Sequence, residues 1–180
     1  MISRTMMKGP WNPSSTGRRV ILFGPELAGK SEILGAFARE EALGLSGYVA
    51  GVPPVNLVLA LEGAHYSLAA IVGAVWCPDE WCKLVEWSTH VLYVLDPQRP
   101  RAARTAELLR QFGSPLEHGR VRAVQVTKQD IVRNQAFATD CFEVGDVQSE
   151  FGLAGLPVFD SSIFEPETMT RGVRYLLGAA

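Results

Sequence analysis

Cysteine and histidine are scarce in this chain, with three of each among 180 residues. Cys77, Cys82 and Cys141 are odd in number and follow no framework spacing. A disulfide scaffold or a zinc site is therefore not expected, and reduced thiols in a cytoplasmic protein are. His65, His90 and His118 are scattered along the chain, which argues against a metal cluster or a histidine-based triad. Charge of one sign is also lacking. Lys and Arg total 17, Asp and Glu total 19, and the net charge of -2 leaves no electrostatic footprint for nucleic acid or an anionic membrane. No run reaches the roughly 18–20 apolar residues of a membrane span. The N-terminal stretch "MISRTMMKGPWNPSSTG" has no apolar core and no glycine after Met1, so neither a secretory leader nor a myristoyl anchor is expected there. Residues 1–17 read as a flexible tail, and residues 18–180 as one domain.

Hydrophobic residues make up 47% and charged residues 20%, an ordinary globular balance. Residues 18–24, "RRVILFG", predict a buried strand. Residues 30–44 place Ile33, Leu34, Phe37 and Ala38 on one helical face. In "VNLVLALEGAHYSLAAIVG" two runs with strand propensity flank "EGAH" and predict a hairpin. "DEWCKLVEWSTH" predicts a short helix. "HVLYVLD" predicts an apolar strand ending in an acid. Residues 101–113 predict a helix with Leu108, Leu109 and Phe112 inward. A strand in "RVRAVQV", a short helix in "DVQSEFG", a strand in "LPVFDSS" and a last helix from Pro166 complete the order. Such alternation predicts an α/β fold, a mostly parallel sheet with helices on both faces, whose ligands bind at the C-terminal ends of the strands.

One stretch points to chemistry. Residues 23–33 read "FGPELAGKSEI", and Gly24, Gly29, Lys30 and Ser31 satisfy G-x-x-x-x-G-K-[ST] between a predicted strand and a predicted helix. In that setting the loop from Gly24 through Glu26, Leu27, Ala28 and Gly29 cradles phosphate with backbone N–H groups, completed by Lys30, Ser31 and Glu32 at the helix start. Lys30 would reach the β- and γ-phosphates. The Ser31 hydroxyl would sit on Mg²⁺.

About 100 residues on, "VQVTKQD" runs from a strand into Thr127, Lys128 and Asp130. The Asp130 carboxylate can accept from guanine N1–H and N2–H₂ together. Adenine offers no such pair of donors and would leave the carboxylate unpaired. The Lys128 stem would lie along the base. In "FDSSI", Ser161 and Ser162 would touch the guanine oxygen, or serve only to cap a helix.

With these motifs the chain resembles the Ras-like small GTPases. "FGPELAGKS" is most similar to the phosphate loop of the bacterial gliding-motility (MglA-type) GTPases, with their pattern G-P-x-L-x-G-K-[ST]. "IVGAVW", residues 71–76, resembles their second switch and aligns Gly73 with its glycine. The resemblance implies a P-loop NTPase of the Ras-like G-domain type, with a six-stranded sheet and five helices. It implies GTP or GDP with Mg²⁺ as ligands, and a regulatory protein partner of the roadblock type in polarity or motility control.

The pattern breaks at four places. Ala70 stands where small GTPases carry an Asp that holds Mg²⁺ through water, and Ala74 where they carry the Gln that orients water. Residues 42–65 contain no Thr to sense a third phosphate and no Arg to serve as an internal finger. Glu26 sets a carboxylate where the loop passes the γ-phosphate, a repulsion of about 4 kcal/mol at 4 Å unless it points outward. No catalytic residue is identified. The expectation is a guanine-nucleotide switch or pseudo-GTPase with weak or no hydrolysis of its own. Two alternatives stand beside it. One is a small P-loop kinase using ATP, with Arg99, Arg101 and Arg104 as lid residues, although these more readily form a solvated helix start. The other is a nucleotide-free protein that keeps only the fold. Trp76, Trp81 and Trp87 either form an exposed partner surface or pack against the sheet and the helix over 101–113.

Overall fold

The computed structural model describes residues 17–43, 46–50, 56–63, 65–72, 78–128 and 140–178. The tail 1–16, and with it Trp11, lies outside these residues, as do Gly73, Ala74, Trp76, Cys77 and Asp130.

Seven strands form one sheet in the order β2-β3-β4-β1-β5-β6-β7. They are β1 (Arg18–Phe23), β2 (Ser46–Ala50), β3 (Asn56–Glu62), β4 (Tyr66–Val72), β5 (His90–Leu95), β6 (Val121–Val126) and β7 (Val158–Asp160). β4, β1, β5, β6 and β7 pair in parallel, while β3 pairs antiparallel with both β4 and β2. The expected hairpin across "EGAH" is the β3–β4 pair, in register Leu57↔Val72 to Glu62↔Ser67.

The expected six strands are corrected to seven, because Ser46–Ala50 forms an additional edge strand on β3, from Ser46↔Ala60 to Ala50↔Asn56. "SGYVA" mixes Gly47, a weak strand former, with Tyr48 and Val49, and runs directly into "GVPP", so a segment this short depends on pairing with β3 for its strand state.

Among the described residues the helices are α1 (Lys30–Glu40), α2 (Pro78–Trp87), α3 (Ala102–Glu117), α4 (Val144–Glu150), α5 (Pro166–Met169) and α6 (Arg171–Leu177). A 3₁₀ turn, Arg99–Arg101, leads into α3. The single last helix of the sequence reading is thus two. Gln125, fully buried on β6, fills the break: its Nε2 donates to the Met169 carbonyl at 2.8 Å and its Oε1 accepts from Gly172 N–H at 3.2 Å. α3 continues past Gly113 and includes Pro115. The burial of Leu116 offsets the poor helix propensity of those two residues.

Alternation along the strands divides the core in two, with helices on both faces. Ile21, Phe23, Tyr93 and Leu95 face α2 and α3. Val20, Leu22, Leu92 and Val94 face α1 and α6. This two-sided burial explains why β1 and β5 read as unbroken apolar runs. Trp81 and Trp87 are buried in the first layer, and Trp81 meets Phe23 edge-on with ring centroids 4.8 Å apart. Of the two readings of the tryptophans, packing holds for this pair. No described helix is long and apolar enough to cross a membrane.

Candidate phosphate and base site

β1 ends at Phe23, and the loop from Gly24 to Gly29 turns the chain into α1. Gly24 passes so close to β5 that a Cβ there would lie 2.1 Å from the Val94 carbonyl oxygen. Gly29 takes a φ of 95° at the helix start, a conformation glycine adopts without steric cost. Leu27, by contrast, holds a φ of 60° with its side chain 70% exposed. Lys128, on the facing loop, holds a φ of 59°. Left-handed backbone costs a non-glycine residue roughly 1–2 kcal/mol. Such outliers cluster where a loop is held for function.

Lys30 is buried at 4% exposure, and its Nζ donates to the carbonyls of Gly24 at 2.8 Å and Pro25 at 2.5 Å. The ammonium therefore closes the loop on itself. Burial pulls its pKa down to about 8, and the Glu26 and Glu32 carboxylates act against that fall. The first N–H groups of α1 have no carbonyl within the helix to accept from them. Ser31 donates its hydroxyl to Glu32 Oε2 at 2.8 Å. These two hard oxygen donors lie at the mouth of the helix. Ala70 is fully buried in the layer facing α1 and supplies no ligand atom. Among the described residues no group of three or more His, Cys, Asp or Glu could hold a metal ion.

The second motif comes to the first. Thr127, 3% exposed at the end of β6, donates its hydroxyl to the Ala28 carbonyl at 2.8 Å, with the Leu95 carbonyl at 3.2 Å. Its methyl carbon stands 3.2 Å from the place a Cβ on Gly29 would occupy. Residues 99 apart in sequence are thus bonded, and the Thr-Lys loop lies against the Gly24–Gly29 loop. Asp130 itself is outside the described residues. Ser161 and Ser162 follow β7 on the next strand over. Both are buried and internally engaged: Ser161 Oγ donates to the Val126 carbonyl at 3.2 Å, and Ser162 Oγ accepts from Phe164 N–H at 3.1 Å.

Sequence reasoning did not assign a site role to Asp96. It ends β5, is 2% exposed, and gathers four donors. Lys128 Nζ lies 2.5 Å and Arg101 Nε 3.2 Å from Oδ2. Gln98 donates its backbone N–H at 3.0 Å and its amide at 2.9 Å to Oδ1. The signal available was the lone acid closing the apolar run "HVLYVLD".

Arg99 keeps the solvated position expected of a helix start, while Arg101 and Arg104 are engaged more closely. Arg101 is tied to Asp96, and its Nη1 also reaches the Glu26 carbonyl at 3.5 Å. Arg104 Nε donates to Glu26 Oε2 at 3.4 Å. Arg99 lies 4.4 Å over the Phe142 ring and pairs with Asp140 at 3.8 Å. Glu26 is therefore drawn toward α3.

Neither a family model nor a curated protein sequence matches this chain. The site is read from its own residues.

Proposed function

We propose that the chain is a guanine-nucleotide-binding protein of the Ras-like, P-loop type, a switch or pseudo-GTPase with weak or no hydrolysis of its own. It acts through a protein partner in polarity- or motility-type regulation. The observation that supports this most is the Thr127–Ala28 hydrogen bond at 2.8 Å, which joins the phosphate motif to the base motif. Lys30 would exchange its two loop carbonyls for phosphate oxygens. The Ser31 hydroxyl, released from Glu32, fits Mg²⁺, which takes few protein ligands and fills its shell with phosphate oxygens and water. Lys128, fixed on Asp96, leaves its stem for the base, and Asp130 follows it by two residues. Weak hydrolysis follows from Ala70 and Ala74, which leave no side chain to hold Mg²⁺ through water or to orient an attacking water. The engagement of Arg101 with Asp96 and of Arg104 with Glu26 speaks against a kinase lid.

Thermal denaturation with added nucleotide tests the reading. A ligand at 100 times its Kd stabilises the folded state by about 2.7 kcal/mol. GDP is expected to raise the melting temperature and ATP to leave it unchanged. Lys30→Ala should abolish the GDP shift, and Asp130→Ala should remove the preference for guanine. Equal shifts by GDP and ATP in the unaltered protein, or an undiminished GDP shift in both variants, would contradict the assignment.

A further inference from the structure

Glu26 is the residue least suited to a phosphate loop, and its surroundings show how the fold accommodates it. Two arginines hold it, Arg104 from α3 and Arg101 from the turn before it. Arg101 Nη1 lies 3.5 Å from its carbonyl oxygen, and Arg104 Nε lies 3.4 Å from its carboxylate. Arg101 is anchored in turn by the buried Asp96, so this contact is built from the end of β5 and is not an accident of the surface. Lys30, the nearest cation in sequence, gives its ammonium hydrogens to Gly24 and Pro25, and the Glu26 carboxylate acts on it through space without a hydrogen bond. Arg104 is shared with Glu107, 2.8 Å away, one turn along α3.

We propose that Arg104 is a positioning residue that sets the site's tolerance for a third phosphate, by holding the Glu26 carboxylate toward α3. The inference rests on the phosphate loop being a nucleotide site. The pair is half-exposed, with side-chain accessibilities of 29% and 33%, so it adds little to folding stability. Its effect lies in direction. A carboxylate released from Arg104 is free to approach the bound anion. The terminal phosphate of a triphosphate adds negative charge that a diphosphate lacks, so the triphosphate suffers more. The ratio of GTP to GDP affinity therefore reads the latch, where overall affinity or stability would not.

The test is a double-mutant cycle by calorimetric titration of nucleotide-stripped protein with GDP and GTP, using Arg104→Ala, Glu26→Gln and the double variant. Arg104→Ala is expected to weaken GTP by about tenfold relative to GDP, a difference of about 1.4 kcal/mol. Glu26→Gln should erase that change, so that the double variant matches Glu26→Gln alone. Arg104→Lys, which keeps the charge, should restore most of the ratio. If Arg104→Ala weakens both nucleotides equally, the latch is wrong while the nucleotide site stands. A ratio change that persists undiminished in the Glu26→Gln background overturns the inference too, since Arg104 would then be touching the phosphate itself. Should the unaltered protein bind neither nucleotide, the site reading fails and takes the inference with it.

Discussion

Lys30 holds a buried ammonium between two carbonyls of its own loop, and burial lowers its pKa from 10.5 to about 8. In the unfolded chain the same amine stays charged up to about pH 10.5, so between the two values the unfolded state binds more protons. Stability from this group therefore rises with pH across that window, by on the order of 3 kcal/mol in total, and is at its lowest below pH 8. Urea unfolding of the unaltered protein and of Lys30→Met should show that slope in the first and not in the second. A bound phosphate favours the charged amine, so nucleotide binding near pH 9 should take up protons, visible as a buffer-dependent calorimetric heat. Thr127 has a comparable role without charge. Replacing it with Val keeps the shape and leaves the buried Ala28 carbonyl without this donor, at a cost of about 1–3 kcal/mol. Chemical denaturation checks the cost, and a parallel loss of GDP affinity is expected because the loop is no longer held.

Elements meet at two fastenings, one at each end of the parallel strands. At the C-terminal end, Asp96 joins β5 to the loop after β6 and, through Arg101, to the start of α3. Asp96→Asn leaves two part-buried cations facing a neutral amide and should cost about 2–4 kcal/mol, less than a fully buried pair because Lys128 and Arg101 keep some solvent. It should also weaken guanine selectivity by freeing Lys128. An unchanged urea midpoint would contradict that role. At the opposite end, Arg120 gathers carbonyls from two helix ends: Val85 at 2.7 Å and Ser88 at 3.2 Å at the end of α2, with Pro115 and His118 (3.1 Å) at the end of α3. Arg120→Ala should lower stability by about 2 kcal/mol while leaving nucleotide affinity within twofold, since it lies far from the loops in question. These fastenings were not readable in advance. Asp96 and Arg120 each join near neighbours in sequence to partners 32 or more positions away, Lys128 for the first and Val85 and Ser88 for the second, and no local pattern announces those distant contacts. By contrast, β1, β5, α1 and α3 were legible because their apolar spacing is local. β2 and the break at Thr170 were not, because pairing with β3 and the side chain of Gln125 produce them.

For the molecule as a whole, the α/β class, the parallel sheet and the two helical layers follow from alternation along the sequence. The Gly24–Gly29 loop and the Thr-Lys loop are picked out by their own spacing. What the sequence left open was whether these loops meet, and which way Glu26 turns. Parallel topology answers the first, since β1, β5 and β6 are neighbours and deliver their C-terminal loops to one edge. Arg104 answers the second. The proposed function predicts slow turnover of nucleotide. Single-turnover assays of the purified chain should show GTP hydrolysis no faster than the slow intrinsic rates of about 10⁻⁴ per second seen without an activating partner. The measurement that decides most is a calorimetric titration of the nucleotide-stripped protein with GDP, GTP and ATP in the presence of Mg²⁺. Saturable one-to-one binding of GDP and GTP with ATP ignored is the predicted result. Binding of ATP as tight as GDP, or of none of the three, would contradict the account.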